Sequence, residues 1–301
     1  MRRGLDALWA WLDPLLAPER RIDLVGGVTL LVLLLASEET WVMQIGVVSL
    51  AAAAVVDPRL LRHAAYWFAV LAVYVVGVAN VVLLIDNHEF LLGYWLLALA
   101  LSRLQPDPNA SLATSAKWLT GLAFAFATLW KVTTPEYVDG DMFHTMLLFE
   151  RRFAGVASMV SSLTFAETLQ NFQLNETLRS IGDGAVSVPV YDAPGVRATA
   201  LVMTWWTVLI EGLVAVCFLA PVRAAVGRAR HVALLVFLGT TYVLAPVMGF
   251  GWLLIAMAMA QAPIERHRLF LPAYAAAFVL VLARATAPLG RIFEILFPGL
   301  F

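Results

Sequence analysis

Charge is what this chain has least of. Asp, Glu, Lys and Arg make up only 14% of its 301 residues, against about 25% in ordinary soluble domains. The shortfall runs along the whole length, which excludes a soluble domain carrying one anchor. Net charge is −1, so no global field draws nucleic acid, and no nucleic-acid partner is expected. Cysteine is down to Cys217, set in an apolar run. It has no partner for an internal disulfide and reads as a small core residue. No cluster of His, Cys and acidic residues has metal-ligand spacing, so no metal is expected. A Gly-rich phosphate loop and a Ser-His-Asp arrangement are missing as well.

What is there is apolar. Hydrophobic residues reach 61% and mean hydropathy is +0.83. A bilayer core takes about 20 residues of helix, with a range of about 17 to 25. Apolar runs of that kind lie at 22–37, 41–56, 64–85, 87–104, 117–134, 198–220, 231–261 and 269–283. The first two are short, and 231–261 is too long for one span, with Pro246 and Gly249 near its middle. Such a break predicts a bent or re-entrant pair. The expected fold is all-α: a polytopic integral membrane helix bundle of seven to nine spans. Residues 1–21 do not read as a signal peptide, because Arg2, Arg3, Asp6, Asp13 and Glu19 interrupt them. Leu5, Leu8, Trp9, Leu12, Leu15 and Leu16 fall at helical spacing and predict an interfacial amphipathic helix. Residues 22–301 are expected to form a single transmembrane domain. Within it, 105–116 reads as a polar loop, 142–169 as an amphipathic helix and 182–195 as a Gly/Pro-rich stretch.

Orientation follows from Arg and Lys outside the spans. Arg2, Arg3, Arg20, Arg21, Arg59, Arg62, Arg103, Lys117, Arg223, Arg228 and Arg230 fall on one face. That face is assigned to the cytoplasm together with the N-terminus. The long segment 135–197 then lies on the opposite side, and Arg151, Arg152 and Arg179 run against the rule there. High Ala, Val, Leu and Arg usage suggests a bacterium, hence an inner, cytoplasmic membrane.

Ionisable residues at membrane depth are costly and mark function by default. The candidates are His88, Lys131 and Glu211, with Asp23 and Asp86 beside them. His88 opens the fourth run and Lys131 closes the fifth, so antiparallel neighbours would hold them at similar depth. A lysine in a water-poor pocket loses charge readily and can act as a base. A nearby imidazole can orient a substrate or share a proton. Structural readings stand beside these. Lys131 is also placed to snorkel to headgroups, His88 to cap a helix start, and Glu211 to pair with an Arg or a hydroxyl between helices.

Two stretches carry a resemblance. One is Asn87-His88-Glu89-Phe90-Leu91. The other runs from Phe124 through Trp130 and Lys131 to Tyr137-Val138-Asp139-Gly140. With Trp206 and Glu211 further on, the chain resembles the transmembrane region of the vitamin K-dependent γ-glutamyl carboxylases. It is similar in the same way to their bacterial relatives, the horizontally transferred transmembrane domain proteins. The resemblance is specific over 86–141. It implies that Lys131 is the base that deprotonates a reduced vitamin K (a menaquinol or related hydroquinone), with His88 in the same site. It also implies that Asn87, Trp130, Tyr137, Asp139 and Glu211 bind the substrate. The chain departs from that pattern in three places. One extra residue separates the lysine from the aromatic-Val-acid-Gly segment. Gly239-Thr240-Thr241 stands where a histidine is common. These residues also contain no large extramembrane domain of the kind that binds peptide in the animal enzymes. The expected function is a carboxylase-like enzyme acting on a quinol or other lipid-soluble molecule at the non-cytoplasmic face. The alternative is a non-enzymatic membrane subunit or lipid-binding scaffold. The expected partners are the lipid bilayer, a lipid-soluble small molecule and a membrane or periplasmic protein.

Overall fold

The structure is a computed structural model that describes residues 20–36, 40–79, 86–181, 189–245, 247–262 and 267–286. The interfacial helix expected over 1–21 lies, but for its last two residues, outside the described ones. The described residues form helices and their connections, with no strand among them. The helices are α1 (Arg21–Ala36), α2 (Trp41–Val56), α3 (Ala64–Ala79), α4 (Asn87–Ser102), α5 (Pro108–Thr133), α6 (Pro135–Val138) and α7 (Asp141–Phe149). After these come α8 (Ala154–Val160), α9 (Phe165–Ile181), α10 (Pro194–Leu219), α11 (Ala225–Arg228), α12 (Arg230–Leu244), α13 (Met248–Gln261) and α14 (His267–Thr286). Two 3-10 turns, Pro58–Arg62 and Arg151–Phe153, intervene.

Several boundaries differ from the hydropathy reading, each for a capping reason. The polar stretch 105–116 is mostly helix. Asp107 accepts from Ala110 N at 3.0 Å, and Pro108 sits at the first helical position, where its missing N–H costs nothing. The fifth run thereby grows to the 26 residues of α5. In the same way Pro194 opens α10 inside the Gly/Pro-rich stretch, again giving 26 residues. The single amphipathic helix expected over 142–169 is broken into α7, a 3-10 turn, α8 and the start of α9. Glu150 is extended at φ −104, ψ 124. Thr164 and Glu167 then start α9 with a reciprocal capping box. Glu167 N donates to Thr164 Oγ1 at 3.3 Å, and Thr164 N donates to Glu167 Oε2 at 2.7 Å. Run 231–261 becomes two helices, α12 and α13, ending and starting either side of 245–247.

The chain falls into two compact units. Unit one comprises Met1–Ala123, Cys217–His231 and Val247–Phe278. Here α3 packs on α2 and α4, and α13 packs on α1. Glycines let these helices approach closely. A Cβ at Gly26 would sit 2.7 Å from the Trp67 ring, and one at Gly46 would sit 2.4 Å from Val73. Trp95 Nε1 donates to Thr29 Oγ1 at 2.9 Å in a fully buried pair. Asp23, a candidate from sequence, accepts from Arg62 Nε at 3.1 Å and Arg103 Nη2 at 2.8 Å. It therefore ties α1 to the turn after α2 and to the end of α4. Burial holds the Arg103 guanidinium below its usual range, against the opposing pull of Asp23.

Unit two comprises Phe124–Val216, Val232–Pro246 and Val279–Phe301. Its core gathers Tyr137, Phe143, Leu147, Phe153 and Val156 with Val196, Ala200 and Met203 of α10. Edge-to-face contacts run from Trp130 to Tyr137, Phe143 and Phe153, at centroid spacings of 5.9, 5.7 and 6.5 Å. Such contacts match the positive ring edge to the negative face.

Among the described residues two helices, α5 and α10, are long and apolar enough to cross a membrane, and five more apolar segments of 10–17 residues accompany them. Large apolar side chains stand on the outside of these helices. Val56 is 87% exposed, Val202 70%, Phe126 66% and Leu209 66%. On α10, Val202, Leu209, Leu213 and Val216 follow one stripe along the helix.

Candidate functional site

Lys131 closes α5, where a cation also offsets the negative end of the helix dipole. Glu211 lies inside α10, on the same helical face as Thr204 and Thr207. The two helices meet at Gly212, where a Cβ would come 3.6 Å from Thr128 Cγ2. That approach lets the Lys131 ammonium donate to Glu211 Oε2. Both side chains are nearly sealed, at 13% and 8% exposure. A buried carboxylate is tolerable only with such a partner. Glu211 therefore pairs between helices, as sequence allowed, but with Lys131 and not with an arginine. Lys131 does not reach outward as a snorkelling residue would.

Tyr137 adds an aromatic wall. Its ring centroid lies 5.4 Å from Lys131 Nζ, in cation–π range. Burial pushes the Tyr137 hydroxyl above its ordinary range, the Glu211 charge adds to that, and a hydrogen bond with Thr207 opposes it. Tyr242, on α12, is a fully buried neighbour whose hydroxyl lies within electrostatic range of Glu211. That hydroxyl has no hydrogen-bond partner, and neither do Thr204 Oγ1 and Thr241 Oγ1. Sequence reading passed over Tyr242 and Thr204 and named Thr241 only as part of a departure from the resemblance. The one available signal was polar residues inside otherwise apolar runs. The Gly239-Thr240-Thr241 segment does meet α10, since Trp206 Nε1 donates to Thr240 Oγ1 at 3.2 Å.

The other expected site residues are arranged differently. His88 belongs to unit one and Lys131 to unit two. The His88 ring sits over Gly249, where a Cβ would fall 3.0 Å from Nε2, and 6.2 Å from the Phe250 ring. Its Nδ1 is 3.8 Å from Asp86. Asn87 is exposed at the first position of α4. Trp130 is half exposed. Asp139 is exposed, and its backbone carbonyl accepts from Arg197 Nη2 at 2.8 Å. Asp141 pairs with the same guanidinium. His144 bonds Asp192 at 3.1 Å and is only partly exposed.

Two concavities lie apart from Lys131 and Glu211. One, of about 350 Å³, lies against Phe149, Arg152 and Phe172 in unit two. The other, of about 570 Å³, is an apolar groove in unit one lined by Tyr74, Phe90 and Tyr94 of α3 and α4. The chain matches no family model, no curated protein and no solved structure.

Proposed function

We propose that this chain is a multi-pass protein of a bacterial inner membrane, with its N-terminus cytoplasmic, and that Lys131 and Glu211 form a proton-transfer site for a lipid-soluble hydroxylated substrate. The membrane reading is supported by the outward stripes of large apolar residues on α10 and α5. Soluble monomers rarely leave apolar patches of that extent in water. The carrying observation for the site is the Lys131–Glu211 pair, sealed beside buried hydroxyls that have no partner.

The pair holds one shared proton. Moving that proton onto Glu211 leaves both groups neutral, which a low-dielectric setting favours. The neutral Lys131 amine can then take a proton from an acidic hydroxyl. The carboxylase-like resemblance points to a reduced naphthoquinone as the source of that hydroxyl. Such a hydroquinone supplies, when bound, the acidic hydroxyl and the electrons for reaction with oxygen. The unpartnered Tyr242 hydroxyl fits it as a hydrogen-bond partner, and Tyr137 fits it as a flat aromatic wall.

A second reading has its own support. Lys131 is already satisfied by Glu211, and the two concavities described above are lined by other residues. A purely structural pair has this same geometry, as a non-enzymatic membrane subunit or lipid-binding scaffold would show. The deciding experiment supplies a reduced naphthoquinone and oxygen to the purified protein and detects quinone epoxide by mass, with Lys131→Ala alongside. Thermal unfolding of both proteins controls for folding. Epoxide from the wild type alone supports the proton-transfer site. No epoxide from a folded wild type overturns it and puts the scaffold first.

A further inference from the structure

Unit one contains a second buried charge, and this one has no counter-ion among the described residues. Arg230 opens α12 and is 8% exposed. Its Nη1 donates to Gly227 O at 2.9 Å. Nε is sealed from solvent without any partner. Among the described residues no carboxylate pairs with this guanidinium. The Nε–Nη2 edge, the fork that matches two oxygens of an oxyanion, is therefore unused. A buried cation left in this state is strongly unfavourable.

The surroundings hold that fork in place and add positive potential. The turn before it is tight: Ala224 N donates to Pro221 O at 2.9 Å, and a Cβ at Gly227 would fall 2.2 Å from the Pro221 carbonyl oxygen. Position 227 therefore has no room for a side chain, and its carbonyl accepts from Arg230 Nη1. Next to Arg230, His231 is buried, with Nδ1 2.8 Å from the Tyr274 hydroxyl. Phe270 packs on its imidazole at 4.8 Å. Arg21 and Arg230 both lie within electrostatic range of that imidazole. Gln261 Oε1, an acceptor, also lacks a partner.

The geometry points to a phosphate-binding site at Arg230, in which the Nε–Nη2 fork grips a phosphate group and Arg21 adds long-range attraction. The phosphate belongs to a lipid headgroup or to free phosphate. The lipid source rests on the membrane reading above, whereas the site itself does not.

The test uses the full chain in detergent, with Tm measured at matched ionic strength. One arm adds inorganic phosphate in place of chloride. The other compares mixed micelles of phosphatidylglycerol with mixed micelles of diacylglycerol, which carries no phosphate. A Tm rise with inorganic phosphate assigns free phosphate. A rise with phosphatidylglycerol alone assigns the headgroup. Arg230→Gln abolishes the rise, while Arg228→Gln, at the exposed neighbour, keeps it. Where Arg230→Gln fails to fold, Arg230→Lys keeps the charge without the fork and loses at least half of the rise. No rise in either arm, or a rise of wild-type size in the folded Arg230 variant, overturns the proposal. Either result leaves the Lys131 reading untouched, because that reading is scored by epoxide formation.

Discussion

Lys131 and Glu211 lie 80 positions apart in the chain and share one sealed hydrogen bond between the end of α5 and the middle of α10. Sequence reading singled out both residues, but as members of a wider constellation with His88. The structure makes them each other's partner. Whether or not turnover follows, the pair contributes to the packing of unit two. Either residue alone would be a buried charge.

This pairing carries an energetic expectation. Lys131→Met leaves Glu211 buried without a partner, and such breakage costs about 3–5 kcal/mol. The double variant Lys131→Met/Glu211→Leu removes both charges and recovers most of that loss. A double-mutant cycle on thermal or denaturant unfolding reads the coupling. Additive losses from the two single variants would mean that the contact does not exist in the folded protein.

Adjacent glycines on α1 make a paired steric test. A Cβ at Gly26 would press to 2.7 Å on Trp67, whose ring is fully buried and whose Nε1 donates to Leu61 O at 3.0 Å. Gly26→Ala therefore costs about 1–3 kcal/mol by overpacking. A Cβ at Gly27 meets nothing within 4 Å. Gly27→Ala is expected to stabilise by about 0.5–1 kcal/mol through helix propensity alone. Unfolding midpoints of the two variants should move in opposite directions.

The Thr164–Glu167 capping box predicts an acid response. Hydrogen bonds from the Thr164 backbone and side chain hold the Glu167 carboxyl below its ordinary value of 4.5. A depressed folded value means that the cap's contribution is fully present above that ordinary value. It is lost as pH falls through the depressed one. Amide exchange at the start of α9 should speed up on acidification in the wild type. In Glu167→Gln the pH-linked part of that change should vanish, since an amide accepts the same bonds at every pH. Equal acid sensitivity in both proteins would assign the response to another group.

Legibility differed by the kind of signal. Runs bounded by unambiguous stops were read to within a residue or two: Trp41–Val56, closed by Asp57-Pro58, is an example. Helices that begin in polar sequence were not, because a hydropathy run registers lipid-like composition and not hydrogen bonding. Asp107 and Pro108 start α5 well before its apolar stretch begins. The region after Lys131 was misread as one long amphipathic helix. Its stops at Glu150 and at Thr164 are capping events, and apolar spacing does not register those. Tyr242 and His231 were passed over because a single polar residue in an apolar run carries no sign of what faces it.

The sequence alone determined the helical class and which residues are too polar to sit unpartnered among apolar neighbours. Composition and periodicity are local properties, and they act before any helix meets another. Tertiary structure alone decided that Glu211 answers Lys131, that Asp23 answers Arg62 and Arg103, and that no carboxylate among the described residues answers Arg230. Charge pairing depends on distances between helices tens of residues apart, and those distances are set by where glycines such as Gly26 and Gly46 let helix backbones approach.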